Sequence, residues 1–479
     1  MSSSTVTVVS APGKVLIIGG YLILDRSYQG LTIGTDARFY TIVKPGNKCS
    51  KITVHSPQFN DAAWEYRVND ACQVEAINED NRNSFVEITV KYTLSVIANR
   101  IPKQKFNEII NQGLDIYIAG SNDFYSQRKQ LEILKLPLNT SSLRLLTPFN
   151  KNDINLKQVH KTGLGSSAAL ITSLVAALLI HFQCIDNIGN QQKTLIHNVA
   201  QMCHCLAQGK IGSGFDVSAA VWGSHVYKRF SPDILNPVIQ DENNVDGATI
   251  DNIVDPSTSN WDNEVVPTAL PPRFTLVIAD VDIGSNTPKL VGKVLAWRKA
   301  NPEQAKALWD TLASHNSMVI DGLRELRSEY ENNKSEYEKA IELCSEVKGS
   351  EWATLAEQKT LHSNIINGLI KIFQSFQKVR QFLREMSTLS GAPIEPPVQT
   401  KLLDACTEIP GVIMAGVPGA GGFDAIFCIG IGNKFVENVE NLWLNWKEMN
   451  VGPLLANESS EGLKIENLDS VKGLATILT

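Results

Sequence analysis

"HKTGLGSSAALITSLVAALL", residues 160–179, is the stretch on which the fold turns. Its segment Gly163–Ala168, G-L-G-S-S-A, satisfies the dinucleotide pattern G-x-G-x-x-[GA]. A dinucleotide fold also needs a buried apolar strand before the first glycine, and an acidic residue about 20 positions on after a second strand. "LKQVHKTG" offers His160 and Lys161 where that strand should be. Asp186 is well spaced, but Ser166–Asp186 holds no Gly, Pro or Asn to end a helix and start a strand. One long helix is therefore expected, apolar all round and so buried. A glycine loop opening such a helix can instead cradle phosphates, because its N–H groups and the positive end of the helix dipole face an anion. Ser166 and Ser167 stand at the helix start, either to hold phosphate oxygen or Mg2+ or to cap the helix.

Two more glycine-rich stations flank this one: "SAPGKVLIIGGYLIL" at 10–24 and "GVPGAGGFDA" at 416–425. Residues 5–9 read as a strand, followed by a Pro/Gly turn and an apolar run. Strands are expected at 39–43, 51–55, 114–120 and 273–281, and a strand–loop–strand at 410–431. Residues 87–100 change from alternating to helix-like. Helices are expected at about 191–208 and within the charged 302–348 stretch. At 361–388, Ile365, Leu369, Ile372, Phe376, Val379, Leu383 and Met386 recur at helical spacing. Residues 231–268 carry eight acidic residues and no Lys or Arg, which reads as a surface excursion. The expected organisation is α+β: an N-terminal unit 1–230, that excursion, and a C-terminal unit 269–479.

The 479 residues carry a net charge of −6, with no basic stripe of the kind nucleic acid requires. Eight scattered cysteines contain no C-x-x-C pair, against a zinc ribbon or thioredoxin-type site. "CHC" at 203–205 cannot present three ligands on one face of a helix. The N-terminus has no basic-then-apolar leader, and the longest apolar run, 170–180, is about half a membrane span. The expectation is a cytoplasmic protein with free thiols and no membrane insertion. Walker A and G-x-S-x-G motifs do not occur.

In order and content, "APGK…G" (11–20), "GLGSSA" (163–168) and "GVPGAGG" (416–422) resemble the motifs of the GHMP kinase superfamily. "GSNDFYSQR" (120–128), "AQGKIGSGFDVSAAVWGS" (207–224), "IGSNTPKLVGKVLAWR" (283–298) and the 390–427 segment are similar to its eukaryotic, fungal-type phosphomevalonate kinase branch. The resemblance covers essentially the whole chain. It implies a two-domain fold: an N-terminal domain like ribosomal protein S5 domain 2, a ferredoxin-like C-terminal domain, and a cleft site between them. The implied reaction moves the γ-phosphoryl of ATP to 5-phosphomevalonate with Mg2+ present. A sister kinase acting on mevalonate or another alcohol, and a non-enzymatic sensor on the same fold, are the rivals. A sensor would be expected to lack Lys14 or Asp216, and both are present.

The resemblance also assigns roles. Asp216 and Lys14 match the catalytic aspartate and its partner lysine, and Lys161 stands where it can reach the phosphates or the acceptor. Gly163, Leu164, Gly165, Ser166, Ser167 and Ala168 form the phosphate loop, with Ser167, or else Ser166, the Mg2+ hydroxyl. Asn122 and Phe124 are candidates for the adenine, and Lys210, Ser213, Gly214, Gly419 and Gly421 for the acceptor end. Bringing two anions together requires further positive charge. Lys289 and the i, i+4 pair Arg380 and Arg384 are candidates for the acceptor's phosphate or carboxylate. Where the mevalonate kinase branch places a Mg2+-binding Glu, this chain reads "QMCHCLAQGK", with His204 and no carboxylate.

Overall fold

A computed structural model describes residues 6–46, 50–78, 80–240, 245–258, 261–281, 287–358 and 363–478. Two sheets organise it. The first holds β1 (Thr7–Ile18), β2 (Gly30–Pro45), β3 (Lys51–His55), β4 (Ala63–Val68), β5 (Val74–Ala76), β6 (Leu114–Gly120), β7 (His225–Lys228), β8 (Glu264–Pro267) and the late strand β13 (Lys464–Ile465). Its order is β13-β1-β2-β6-β3-β4-β5, with β7 joining β2 and β8 joining β7. The second sheet is β10-β11-β9-β12, from β9 (Phe274–Asp280), β10 (Val412–Gly416), β11 (Ala425–Ile431) and β12 (Gly452–Pro453).

β1 is one strand, where a strand, a Pro/Gly turn and an apolar run were expected. Pro12 has no N–H to give the ladder, and the pairing with β2 shifts register between Pro12 and Lys14. That bulge lets the chain run straight through and presents Gly13 and Lys14 to the glycine loop at 163–165. Nearly every β1 residue is buried, as expected for a strand covered on both faces.

The Ser166–His181 helix packs against β1 and β2, and the Ser84–Arg100, Asn190–Gln208 and Phe215–Trp222 helices surround it. Twelve of its sixteen residues are buried, which accounts for its apolar character all round. The Ser84–Arg100 segment is helical throughout, without the strand-like start its alternation implied. In the second half, the Pro302–Asn332 and Ser363–Ser390 helices pack along each other, and the latter also packs on β10.

The acidic stretch is not a bare excursion. Leu235, Val238, Ile250 and Val254 are buried, and the Gly247–Val254 helix packs on Ser84–Arg100. Arg100 Nε lies 2.5 Å from Asp251 and its Nη2 2.6 Å from Asp255, while Asp262 accepts from Ser231 and pairs with Arg26. Counting charges hid the apolar residues that dock this segment. Nor does the chain divide at 230 and 269: β8 completes the first sheet, and β13 pairs with β1 through Val9–Ile465. Ser10 Oγ donates to Glu466 and Arg38 Nε to Ser10 Oγ, fixing that return.

Candidate active site

The three glycine stations meet. Lys14 N donates to Leu164 O (2.9 Å), and Lys14 Nζ donates to Gly163 O (2.8 Å). Gly165 caps the Ser166–His181 helix at φ 81°, a conformation that side chains disfavour, and a Cβ there would lie 2.9 Å from Lys14 Cε. The cap residue thus has no side chain, so serine capping is not what places Ser166 and Ser167. Ser167 Oγ lies 3.1 Å from His204 Nε2, which lies 3.9 Å from Asp216 Oδ2. Gln208 Nε2 approaches the same ring nitrogen at 2.9 Å. Asp216 sits in the first turn of the Phe215–Trp222 helix, capped by Gly214 at φ 83°.

The third loop closes on the first. Gly419 N donates to Leu16 O (3.0 Å), and Tyr21 Oη donates to Ala420 O (2.7 Å). Tyr21 itself holds φ 66°, a strained backbone for a non-glycine residue, kept by this contact and its burial. Gly421 has φ 68°, and a Cβ there would fall 2.1 Å from Ile394 O. The loop therefore tolerates no side chain at that point.

Electrostatically, Lys14 is the centre. Desolvation lowers its pKa, while the charges of Asp216 and Asp424 oppose that. The Phe215 ring lies 5.3 Å from its ammonium. Lys14 and Asp216 were expected to pair directly; instead the ammonium hydrogen-bonds the glycine loop and feels the aspartate through space. Desolvation also lowers the His204 pKa, opposed by Asp216 and aided by Lys210. Asp424 is a functional candidate the sequence reading missed, although it stands just beyond the glycines of "GAGGFDA", after Phe423. Its signal was a lone acid behind a glycine loop, with nothing to say that the loop returns to Lys14.

The other candidates divide. Lys161 stands just ahead of the loop, its backbone bridged to Tyr125, and desolvation lowers its pKa. Leu164 is buried, as are Ser166 and Ala168. Lys210 is exposed beside the His204 cluster, and Ser213 O accepts from Tyr227 Oη. Lys289 is exposed on the first turn of the Thr287–Ala300 helix, and residues 283–286 of that motif lie outside the described residues.

Two assignments need correction. Arg380 and Arg384 do share a face, but that face meets Glu395. Arg380, 1 % exposed, donates to both Glu395 oxygens (2.8 and 3.1 Å) and pairs with Asp404 at 2.8 Å. Its guanidinium is committed to the buried Glu395 and the exposed Asp404 and has no face left for an acceptor. Arg384, 37 % exposed at the side chain, spends one Nη on Glu395 at 2.8 Å. Asn122 Nδ2 donates to Thr147 O and its Oδ1 accepts from Asn150 N, so its amide braces a turn instead of meeting a base. Phe124 is core, packed on Phe39.

Near that turn the two sheets are clamped. Asp123 Oδ1 accepts from Leu455 N (2.6 Å) and Ala456 N (3.0 Å), and Arg128 Nη2 donates to Asp280 O (2.7 Å). Desolvation raises the Asp123 pKa to about 6.

A glycine loop, a helix N-terminus, a lysine and two aspartates converging between a mixed sheet and a second α+β half define a GHMP kinase. Residues 148–224 match the GHMP kinases N terminal domain. The fold is that of the Listeria innocua Lin0012 protein (TM-score 0.65, 14 % identity, 97 % of this chain and all of that one). It is also that of a Streptococcus pneumoniae phosphomevalonate kinase in complex with phosphomevalonate and AMPPNP (TM-score 0.58, 14 % identity, 96 % of this chain and 99 % of that one). The sequence is 37 % identical to a peroxisomal phosphomevalonate kinase of Arabidopsis thaliana over 96 % of each chain. It is 35 % identical to phosphomevalonate kinase erg8 of Aspergillus fumigatus over 98 % of each. The chain belongs to the phosphomevalonate kinase family.

Proposed function

We propose that this chain transfers the γ-phosphoryl group of ATP to 5-phosphomevalonate, giving 5-diphosphomevalonate and ADP. The observation that carries the reading is the convergence of the three glycine loops on Lys14, with Asp216 and Asp424 in its field. Phosphoryl transfer needs positioning and positive charge more than covalent help. The 163–168 loop is suited to the nucleotide phosphates through its backbone N–H groups, and Lys14 and Lys161 supply positive charge. An acceptor phosphate, with a second pKa near roughly 6, is already largely dianionic at neutral pH. Asp216 therefore serves chiefly to balance the charge of Lys14 through space and to orient the acceptor, with little proton to remove.

Mg2+ fits the site as an ion borne by the nucleotide. Among the described residues no three His, Cys, Asp or Glu side chains converge as a cage, whereas Ser167 and Asp216 offer hard oxygen. Ser167 would hold the ion, which would neutralise phosphate charge. His204, in the place of the carboxylate of the mevalonate kinase branch, orients the Ser167 hydroxyl. Among the described residues no helix is long and apolar enough to cross a membrane. The seven cysteines among the described residues stand as free thiols, which supports a reducing setting such as the cytoplasm.

The test is a coupled ADP-release assay with 5-phosphomevalonate and mevalonate side by side. Turnover with phosphomevalonate is expected; turnover with mevalonate alone would overturn the reading and favour a sister kinase.

A further inference from the structure

The loop 209–214, between the Asn190–Gln208 and Phe215–Trp222 helices, sets where Asp216 stands. Little packing fixes it. Ile211, Gly212 and Ser213 are half-buried, and a Cβ on Gly212 would meet no atom within 4 Å. Its carbonyls are held by hydrogen bonds instead. Arg229, the residue after β7, donates from Nη2 to Gly212 O (2.7 Å) and Ile211 O (3.1 Å), and from Nε to Gly212 O (3.1 Å). Tyr227 Oη donates to Ser213 O at 3.1 Å. The same guanidinium reaches a second loop: Nη1 donates to Leu24 O at 2.7 Å, in the Leu22–Leu24 turn that follows Gly19 and Gly20. None of these partners is a carboxylate. Asp25 acts on Arg229 only through space, its own carboxylate being bonded to Arg298 and to Ser27 N. A half-buried cation without an acid partner is a poor choice for stability alone, since charges withdrawn from water are ordinarily paired.

We infer that Arg229 is a positioning residue for phosphoryl transfer, tying the loop that leads into Asp216 to the turn that follows the Lys14 strand, an inference that rests on the phosphoryl-transfer reading above. The task calls for arginine. Three carbonyls on two separate loops are met by one planar fork whose five N–H donors have fixed directions, whereas an ammonium is a point charge on a flexible stem. Gly214, at φ 83°, hands the chain from the loop to the helix, and Asp216 is the second residue of that helix. A loop free to shift by about 1 Å would carry Asp216 with it relative to Lys14, and a misplacement of that size costs up to about 100-fold in rate. The other anchor is itself braced. Leu24 precedes Asp25, whose pairing with Arg298 ties the turn to the Thr287–Ala300 helix of the second half. Arg229 thus joins the Asp216 loop to the part of the first glycine station that meets both halves of the molecule.

The test is Arg229→Met and Arg229→Lys, with Arg100→Met as the control. Arg100 pairs with Asp251 and Asp255, outside the site. All three variants should unfold at lower urea. In the ADP-release assay with 5-phosphomevalonate, Arg229→Met should lose kcat by about 10- to 100-fold, with the KM for ATP within about twofold. Arg100→Met should keep its kcat. Arg229→Lys retains the charge but cannot meet both loops, so it should recover only a minor part of the loss; it carries the test if the Met variant does not fold. Trypsin, which cleaves after the exposed Lys210, reads the loop without turnover. Cleavage there should be about tenfold faster or more in Arg229→Met than in the wild type or Arg100→Met. Full kcat in either Arg229 variant, a kcat loss shared by Arg100→Met, or unchanged cleavage after Lys210 overturns the assignment. If the wild type releases no ADP with phosphomevalonate, the functional reading fails, and cleavage after Lys210 still decides whether Arg229 holds the loop. If the wild type turns over and the Arg229 variants match it, this inference fails alone.

Discussion

Gly165→Ala tests whether the glycine loop positions the central lysine. Gly165 holds φ 81°, and an alanine forced into left-handed backbone loses about 1–2 kcal/mol. Its Cβ would lie 2.9 Å from Lys14 Cε and 3.2 Å from Lys14 Cγ. Carbon atoms sit comfortably at about 3.5–4.0 Å, so the lysine stem must retreat by roughly 0.6–1 Å. Displacements of that size at a reacting centre cost up to about 100-fold in rate. Gly163→Ala is the control. Gly163 has φ 79°, so the backbone penalty is the same, but a Cβ there meets no atom within 4 Å. Both variants should lose about 1–2 kcal/mol in urea unfolding. Only Gly165→Ala should lose kcat, by about 10- to 100-fold in the ADP-release assay. Gly163→Ala should act mainly on the KM for ATP, since the space it fills borders the loop. A Gly165→Ala enzyme with full kcat, or equal kcat losses in the two variants, would refute the reasoning.

Glu395→Ala leaves Arg380 buried with only Asp404 as its ionic partner, and should destabilise the protein by about 3 kcal/mol, read from the urea midpoint. Tyr21→Phe removes the hydroxyl held by Ala420 O; about 1 kcal/mol of stability and a few-fold rise in acceptor KM are expected, with ATP affinity unchanged. Asp123 has a folded-state pKa of about 6 against an ordinary 3.8, so the folded protein binds the extra proton between these values. Its contribution is therefore present below about pH 4 and lost as pH rises through 6, a swing of about 3 kcal/mol. Asp123→Asn keeps an oxygen for Leu455 and Ala456 and should flatten that part of the stability–pH curve, measured by urea unfolding from pH 4 to 7.

Local signals carried much of the fold. The helix at 166–181 follows from a long apolar run without breakers, and β6 occupies the alternating run 114–120 to the residue. The glycine stations were legible because the chemistry they serve needs bare backbone. What escaped depends on long-range pairing. Asp424 matters only because the loop between β10 and β11 returns to Lys14, which no local pattern announces. Arg380 illustrates the converse: i, i+4 spacing revealed the shared face, while Glu395, which occupies that face, lies beyond the helix end in "GAPIEPP". His204 was noticed as a missing carboxylate, and only the packing of two helices shows that it reaches both Ser167 and Asp216.

The pairing of β13 with β1 sets an order on the birth of the molecule. Val8–Ser10 are synthesised long before their neighbours on one edge, Lys464–Glu466. Until β13 is made, the first sheet carries an open edge at β1, and Arg38 and Ser10 await their carboxylate. The second half must fold, or be held, while the first stands unfinished, so a stalled or truncated chain exposes a strand edge suited to pairing with another copy. Closing this edge of the sheet waits on synthesis of the second half.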